Sequence, residues 1–463
     1  MKCQAHGVDS RGAHRDSPPI GLVASNYTSN GISKGVSAPP KAEGKLTAQG
    51  DRTNTSESQD VDVFIAGSLA VDLACDYSPR MSTSPVSPEA HTSNPAIISQ
   101  SLGGVGYNVA HAAHLMGAKV RLCSAVGDDL SGKAALEALS TNGMSEAGVR
   151  SLPQSSGSRT AQYVAINDSN RDLVMAMADM SILDQTGPDE PLSTTLDDFW
   201  LPQLQECRPS HLAIDANWSP QHLARWLQAG KDADAHVTFE PVSTVKGARL
   251  FDLPKAHHLS VFPSPSVHLA TPNTYELSAM YLAARESGAF ERANWWEVID
   301  ALGIPQTGAR TQLALATSSS LVDEGIPQQS IQLLPFIPSI CTKLGPQGVL
   351  LTQLLAASDE RLHSGHHAPY VLSRCVNGTE DTLGVGGVYM RLFPCVEEVS
   401  ADDVVSVNGV GDTFAGTMVG ALAKRGRSAR VEDFVDLAQR AAVLTLKSKE
   451  SVGPGLGTLR ILL

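Results

Sequence analysis

The sequence of 463 residues predicts an α/β fold in which a mostly parallel sheet is covered by helices on both faces. Short apolar runs typical of buried strands alternate with segments of helical periodicity, and this order requires crossover connections between parallel strands. We expect helices at 108–117 and 133–142, where apolar residues recur at helical spacing. The apolar runs that predict strands lie at 61–67, 120–126, 211–215, 237–240 and 267–271.

Three segments depart from this alternation. Within 158–183, two runs of strand-forming residues flank a turn at Asn167–Asn170, which predicts an antiparallel hairpin outside the main sheet. Segments 300–340 and 356–400 have mixed apolar content and many turn residues, and we interpret them as insertions.

The N-terminal region differs in composition from the rest of the chain. Residues 1–58 are rich in Ser, Gly, Thr, Asn and Pro without a sustained apolar period, which predicts a disordered tail before a folded domain at 59–463. The region has neither an apolar signal segment nor an amphipathic basic stripe, so we expect a cytoplasmic protein, with little support for a mitochondrial presequence. The seven cysteines, scattered without a C-x-x-C pair, fit a reducing compartment.

The charge balance argues against two classes of partner. Acidic residues outnumber basic ones by 48 to 35, which gives a net charge of −13, whereas binding to nucleic acid or an anionic membrane needs clustered Lys and Arg. No apolar run approaches the roughly 20 residues of a membrane-spanning helix. A small anionic ligand held by backbone amides remains compatible with this composition.

The strongest chemical signal lies near the C-terminus, at Ser406–Gly416. There a Gly-x-Gly turn, Gly409–Gly411, leads into an alanine-rich helix predicted at 415–423. The free amides at a helix start and the helix dipole can bind an anion without a lysine, and Asp412 lies at the mouth of this site. The alternative is that Asp412 is the N-cap of the helix, and the motif alone favours neither interpretation.

A second glycine turn, Ser101–Asn108, also precedes a predicted helix. Gly103 and Gly104 allow the backbone to approach a ligand closely, and the Asn108 amide can hydrogen-bond hydroxyl groups. The segment lacks the third glycine of a dinucleotide-binding loop, because Val109 stands in its place. A plain tight turn with Asn108 as a helix cap explains the same residues equally well.

A third motif pairs an amide with a carboxylate. Asn273 and Glu276 are three residues apart, so both can face one side of the first turn of a helix. Their oxygens suit a hydrated Mg²⁺, which keeps several of its waters. The same spacing is that of a capping box with Asn273 as N-cap, and for this motif alone the capping box is the favoured interpretation.

Taken together and in this order, the motifs resemble the PfkB carbohydrate kinase family, which includes ribokinase and adenosine kinase. The resemblance covers about 61–455 and implies a ribokinase-like three-layer α/β/α sandwich whose small β lid is formed by 158–183. Any one of these motifs is weak evidence for the family, whereas five motifs in the family's order are specific evidence for it. They are the Gly-Gly signature at 103–108, the G-x-D-x-x-G segment at 127–132, the N-x-x-E motif at 273–276, the T-x-G-x-x-G turn at 342–348 with one extra residue, and the G-A-G-D signature at 409–412.

The resemblance also implies a role for each motif, with ATP as co-substrate and a homodimer as an allowed assembly. Asp412 would accept the proton of the attacking hydroxyl. The amides of Gly409, Val410 and Gly411 would bind the transferring phosphoryl group. Sugar hydroxyls would contact Asp72, Gly103, Gly104 and Asn108. The nucleotide would contact Thr342, Gly345 and Gly348. Mg²⁺ with its waters would be held by Asn273 and Glu276.

One departure from the family and one subfamily similarity refine this expectation. Ser406-Val407 stand where the family usually has Asp-Thr, which puts a monovalent-cation site in doubt. Segments 66–77, 239–243 and 270–273 are similar to the kinase half of fungal pseudouridine-metabolising proteins, so pseudouridine is the leading substrate, and we expect no glycosidase activity in this polypeptide. The alternatives are a ribokinase-like or adenosine kinase and, from another class, a non-catalytic ligand-binding protein on the same fold.

Overall fold

A computed structural model describes residues 60–79, 86–185, 187, 190–304, 309–375 and 383–463. The predicted tail at 1–58 lies outside the described residues, so the tail and the domain boundary stay predictions. Parts of the two predicted insertions, 305–308 and 376–382, lie outside them as well. Within the described ranges, no helix is both long and apolar enough to cross a membrane.

Fourteen strands are present in the described chain. They are β1 (Val63–Ala66), β2 (Ala70–Tyr77), β3 (Ala96–Gly103), β4 (Val120–Gly127), β5 (Val149–Leu152), β6 (Ala161–Asn167), β7 (Leu173–Asp179), β8 (His211–Asp215), β9 (His236–Glu240), β10 (Leu269–Ala270), β11 (Ser339–Lys343), β12 (Val349–Ala356), β13 (Val371–Arg374) and β14 (Val385–Phe393).

Ten of these strands form the main sheet, in the order β13-β14-β12-β11-β10-β9-β8-β1-β4-β5. The neighbours from β11 to β5 are all parallel, and the three pairs at the other edge, β11 with β12, β12 with β14 and β14 with β13, are antiparallel. The prediction of a mostly parallel sheet is therefore confirmed.

Helices cover both faces of this sheet, and β1 shows why. Successive side chains of a strand point to opposite faces. Phe64 packs into the same apolar core as the helices at 220–232 and 274–286, whereas Ile65 packs with the helices at 105–115 and 410–425. The helices are α1 (Val105–Leu115), α2 (Leu130–Thr141), α3 (Pro191–Thr195), α4 (Leu201–Cys207), α5 (Pro220–Asp232), α6 (Thr244–Gly247), α7 (Thr274–Glu286), α8 (Ala293–Ala301), α9 (Ala309–Ala316), α10 (Ser319–Asp323), α11 (Ile326–Leu333), α12 (Val410–Arg425) and α13 (Val435–Leu446).

The remaining four strands form a separate small sheet in the order β3-β2-β6-β7. Within it, β6 and β7 pair antiparallel across the turn at 168–172, which confirms the hairpin predicted from two strand-forming runs that flank a turn. Strand β2 pairs with both β3 and β6 and follows β1 of the main sheet after only three residues. This short connection ties the small sheet to the carboxyl end of β1.

Three helices begin earlier than the sequence predicts, because their cap residues lie earlier in the chain than expected. Helix α1 begins at Val105 rather than at residue 108, after Gly104 in a left-handed conformation (φ 91°). Helix α2 begins at Leu130, where the Asp129 side chain accepts a hydrogen bond from the Gly132 amide. Helix α12 begins at Val410 instead of 415, and the strand predicted at 267–271 is reduced to Leu269–Ala270.

The segments predicted as insertions contribute regular structure. Residues 300–340 hold α9, α10 and α11, and 356–400 hold β13 and β14, which extend the main sheet. Their status as insertions stays a prediction.

Candidate active site

Charged side chains gather at the carboxyl edge of the main sheet. Asp215, Glu240 and Lys343 are the last residues of β8, β9 and β11. Helices α1 and α12 both begin at this edge, where the Asn108 side chain of one helix donates a hydrogen bond to Asp412 of the other. The carboxyl edge of a parallel sheet is where α/β proteins bind their ligands.

Asp412 is the third residue of α12 and does not cap it. The N-cap is Gly409, in a left-handed conformation (φ 72°, ψ 0°), and no side chain of the described residues caps the helix start. The Asp412 carboxylate instead accepts a bond from Asn108 Nδ2 at 2.8 Å. The alternative of Asp412 as an N-cap is therefore wrong, because the glycine turn places the cap three residues earlier.

The surroundings of Asp412 prepare it to exchange a proton near neutral pH. Burial raises the pKa of Asp412 to about 6, although the hydrogen bond from Asn108 and the charge of Lys343 act in the opposite direction. The negative charges of Asp215 and Glu276 also act to raise this pKa. A carboxylate in this range can serve as a general base at physiological pH.

Asp72 on β2 is a second carboxylate with a raised pKa. Burial, with the negative charge of Asp412 adding to it, raises the pKa of Asp72 to about 6. The Asp72 side chain lies so close to Gly103 that a Cβ atom there would be 2.1 Å from Oδ2. Gly103 therefore gives the Asp72 carboxylate its space at the end of β3.

Asn108 connects the glycine turn with Asp412. Asn108 is buried in the first turn of α1, and the N-cap of this helix is Gly104. The alternative interpretation of Asn108 as the helix cap is therefore wrong. The Asn108 Nδ2 group binds Asp412, while its Oδ1 atom is buried without a hydrogen-bond partner in the described chain. An unsatisfied buried acceptor is costly and suits a ligand that donates a hydroxyl hydrogen.

Asn273 and Glu276 form the capping box that the alternative interpretation predicted. Asn273 Oδ1 accepts from the Glu276 amide at 2.9 Å, and Glu276 Oε2 accepts from the Asn273 amide at 2.8 Å. Glu276 Oε1 takes no part in this box, and the charge of Glu276 acts on Glu240, Lys343 and Asp412. One carboxylate oxygen and an adjacent amide fit a hydrated Mg²⁺, which needs few protein ligands.

The turn predicted to contact a nucleotide follows β11. Gly345 lies in a short 3-10 turn that ends at Gly348, and the Gly348 amide donates to the Gly345 carbonyl. The Thr342 side chain is fully buried, with Oγ1 unpartnered in the described part of the chain. Because side chains alternate along a strand, its neighbour Lys343 points to the site instead.

Two residues of the site, Lys343 and Glu240, received no role in the sequence analysis. Lys343 Nζ lies 3.1 Å from Glu240 Oε1 and 3.4 Å from Oε2, and the Thr271 hydroxyl also donates to Glu240. Each strand is five residues long, and its last residue is its only Asp, Glu, Lys or Arg. That pattern, at the carboxyl ends of parallel strands, is the signal that could have identified them.

Asp215 also lacked a predicted role, and it fixes the turn between β1 and β2. Its carboxylate accepts bonds from the Ser68 amide at 2.8 Å, the Ser68 hydroxyl at 3.1 Å, and the amide and side chain of Asn217, both at 2.9 Å. Lys246 donates to Asn217 Oδ1 at 2.6 Å. A buried carboxylate with this many donors is satisfied within the protein, so Asp215 positions the turn.

Solved structures share this architecture. The chain superposes on a ribokinase from Cryptococcus neoformans var. grubii serotype A, solved in complex with ADP, with a TM-score of 0.54 and 16% identity, over 87% of this chain and 100% of that one. For a ribokinase from Arabidopsis thaliana, solved with ribose and ATP, the TM-score is 0.53 and the identity 16%, over 87% and 99% of the two chains. These similarities confirm the ribokinase-like fold.

Other relatives are more similar to the chain in sequence than these solved structures are. The chain is 30% identical over 431 residues to a pseudouridine-metabolizing bifunctional protein of Schizosaccharomyces pombe, covering 92% of this chain and 50% of the relative. It is 30% identical over 232 residues to the pseudouridine kinase of Escherichia coli, covering 49% of this chain and 64% of that one. The chain thus spans half of the first relative and less than two thirds of the second. Residues 63–296 match the pfkB family carbohydrate kinase description, and the chain belongs to that family.

Proposed function

We propose that the protein is an ATP-dependent kinase that phosphorylates a primary hydroxyl of a sugar or nucleoside. The observation that carries this proposal is the placement of Asp412. It is a carboxylate with a pKa of about 6 that accepts a hydrogen bond from Asn108 and lies in the first turn of a helix. The leading amides of a helix have no partners within the helix and can bind an anion. Phosphoryl transfer needs a base beside the attacking hydroxyl and an anion site beside the phosphoryl group, and both are supplied within one turn.

Each group of this site has its own role in the proposed phosphoryl transfer. Asp412 accepts the proton of the substrate hydroxyl as this oxygen bonds to the γ-phosphorus atom of ATP and the bond from that atom to ADP breaks. The amides of Gly409, Val410 and Gly411 hydrogen-bond the phosphoryl oxygens, whose charge grows in the transition state. Asn273 and Glu276 would hold the waters of a bound Mg²⁺, which would supply positive charge to the phosphates of ATP.

The substrate class is supported by the polar groups beside Asp412. Asp72 can accept bonds from sugar hydroxyls, and the unpartnered Asn108 Oδ1 can accept another. The relatives named for pseudouridine make this C-nucleoside the leading candidate. Closure of the small sheet, including the hairpin at 158–183, would exclude water from the bound sugar.

A panel of nucleosides and sugars with Mg-ATP, with ADP release as the measurement, tests this proposal. We expect the highest kcat/KM with pseudouridine and a 5′-phosphate as the product. Preference for ribose or adenosine would assign the chain to one of the alternative kinases. Binding of a panel member without turnover of any would contradict the proposal and favour a ligand-binding protein.

Glu276→Gln separates metal binding from helix capping. Glutamine can replace glutamate in a capping box, so the melting temperature should change little. The loss of negative charge should weaken Mg²⁺ binding, so the Mg²⁺ concentration for half-maximal rate should rise, by about tenfold. The matched control is Glu276→Ala, which removes both functions. A lower melting temperature with an unchanged Mg²⁺ optimum in Glu276→Gln would leave the residue as a cap only.

The pH dependence follows from the raised pKa values. Because a general base acts in its deprotonated form, kcat/KM should be constant above pH 7 and fall below pH 6, where Asp412 and Asp72 gain protons. Asn108→Ala removes the hydrogen bond that lowers the pKa of Asp412, so the acid limb should move to higher pH. A flat profile down to pH 5 in the wild-type protein would contradict the assignment of Asp412 as base.

The homodimer is supported by the small sheet. Within the described chain, large apolar side chains are exposed on its two edge strands: Ile97, Ile98, Leu173, Val174, Met175 and Met177. Exposed apolar patches of this kind mark surfaces that bind a partner. Light scattering after gel filtration should give twice the monomer mass, and a monomer at micromolar concentration would argue against this part of the proposal.

A further inference from the structure

Lys343 extends from the end of β11 to the start of α12. A Cβ atom on Gly411 would lie 3.0 Å from Lys343 Nζ, so the ammonium is in contact with the first turn of the helix. The lysine side chain is 17% exposed and that of Glu240, its ion-pair partner, 7% exposed. The backbone of Lys343 is fixed as well, because its amide donates to the Pro272 carbonyl at 2.8 Å.

This placement brings the Lys343 ammonium next to a second source of positive charge. The N-terminus of a helix carries partial positive charge, so an ammonium beside it is repelled. Two sources of positive charge, the helix start and the ammonium, therefore converge on one point. An anion bound between them would relieve the repulsion.

The charge state of Lys343 fits this interpretation. Burial acts to lower the pKa of the Lys343 ammonium, but the carboxylates of Glu240, Glu276 and Asp412 outweigh it and raise the pKa above its ordinary value. The side chain therefore stays protonated at physiological pH. An ammonium has three N–H donors, so it can keep its bond to Glu240 while donating to a further acceptor.

We propose that Lys343 binds the transferring phosphoryl group together with the amides of Gly409–Gly411, and that Glu240 is a positioning residue that holds the ammonium at this point. The inference rests on the proposed kinase function, which it deepens. No covalent step on Lys343 is involved. Its charge stabilises the phosphoryl oxygens, and its effect is greatest for a nucleotide that carries a γ-phosphate.

The kinetic test uses Lys343→Met, Glu240→Gln and the double variant. Lys343→Met should lower kcat by about 10²–10³-fold, as expected for the loss of one group that stabilises the transition state. It also leaves Glu240 buried without its partner, so its melting temperature should fall. The double variant removes both charges and should recover the melting temperature while kcat stays low. Wild-type kcat in the double variant would overturn the proposal.

A binding measurement distinguishes this inference from the proposed function itself. By calorimetry with Mg²⁺ present, the double variant should bind β,γ-imido-ATP about 10–100-fold more weakly than the wild type, and ADP with nearly unchanged affinity. Equal losses for both nucleotides, or none, would overturn the phosphoryl contact. Absence of wild-type turnover on every substrate would instead refute the kinase, and the nucleotide comparison would still decide whether Lys343 binds a phosphate.

Arg361→Met is the matched control for breaking a buried ion pair. Arg361 Nη1 donates to Glu432 Oε1 at 2.7 Å and to Gln353 Oε1 at 2.9 Å, and both side chains of the ion pair are buried. Gln353 pairs with Ser339, at the end of β11 opposite to Lys343. This variant should lose stability while its folded fraction keeps wild-type kcat and nucleotide affinity. A comparable fall in the kcat of Arg361→Met would show that breaking any buried ion pair lowers kcat, and this result would contradict a specific role for Lys343.

Discussion

Asp412→Asn should lower kcat by roughly 10²–10⁴-fold, the usual contribution of a positioned general base. The amide cannot accept the substrate proton, but it can still accept the hydrogen bond from Asn108 Nδ2. Binding of ATP should be retained, because the Gly409–Gly411 turn and Lys343 are unchanged. The measurement is steady-state kinetics with the preferred substrate and saturating Mg-ATP.

The same substitution should stabilise the protein, and the pH dependence of this effect follows from the pKa. Folding raises the pKa of Asp412 to about 6, so the folded state binds the proton more tightly than the unfolded state. The buried charge therefore costs stability above pH 6, and this cost disappears as the pH falls towards the ordinary carboxyl range. The gain in melting temperature of Asp412→Asn should be larger at pH 8 than at pH 4.5.

The control for this prediction is Asp62→Asn. Asp62 lies at the opposite edge of the sheet, where it accepts a bond from the Lys119 amide, so kcat should not change. If kcat of Asp412→Asn stays within a few-fold of the wild type, Asp412 is removed from the mechanism, and most of the support for the proposed kinase is removed with it.

Gly409→Ala should have the second large effect. Gly409 has a φ of 72°, where an alanine costs about 1–2 kcal/mol, and its Cβ would lie 1.9 Å from the Ser451 carbonyl oxygen. That oxygen belongs to backbone, so the helix start must move. We expect a lower melting temperature and a loss of at least about 10²-fold in kcat, because the amides no longer face the phosphoryl group.

Gly411→Ala is the matched comparison. Its Cβ would approach only the flexible end of Lys343, at 3.0 Å, and Gly411 has ordinary helical geometry. The melting temperature should be retained, while kcat falls because the ammonium is displaced. Loss of stability in Gly411→Ala, or none in Gly409→Ala, would show that the turn is not held as the structure indicates.

The sequence predicts the parts of this protein that depend on local patterns. Apolar runs identify strands such as β1 and β8, and the glycine turns identify the two helix starts that meet at the site. The Asn273–Glu276 motif shows the limit of such patterns, because a capping box and a metal-binding pair use the same residues at the same spacing. The structure shows the box, and the Mg²⁺ role needs the experiment above.

Contacts between distant segments could not be predicted in this way. Glu240 and Lys343 are 103 residues apart, and Asn108 and Asp412 are 304 residues apart. Each pair exists because the strand order brings β9 and β11 to both sides of β10, and because α1 packs beside α12. Local patterns carry no information on that order. Which of the two neighbours, Thr342 or Lys343, faces the site likewise depends on which face of β11 meets the site.

The antiparallel edge of the main sheet bears on how such a chain can evolve. Strand β12 starts opposite Lys343 and runs away from it, so its connection to β13 leaves the sheet at the edge farthest from Asp412. Strand β13 ends, and β14 begins, at that same far edge. Residues can be added at the connection between β12 and β13 without reaching Asp412. A family member can therefore lengthen there under little selective constraint while its chemistry is inherited unchanged.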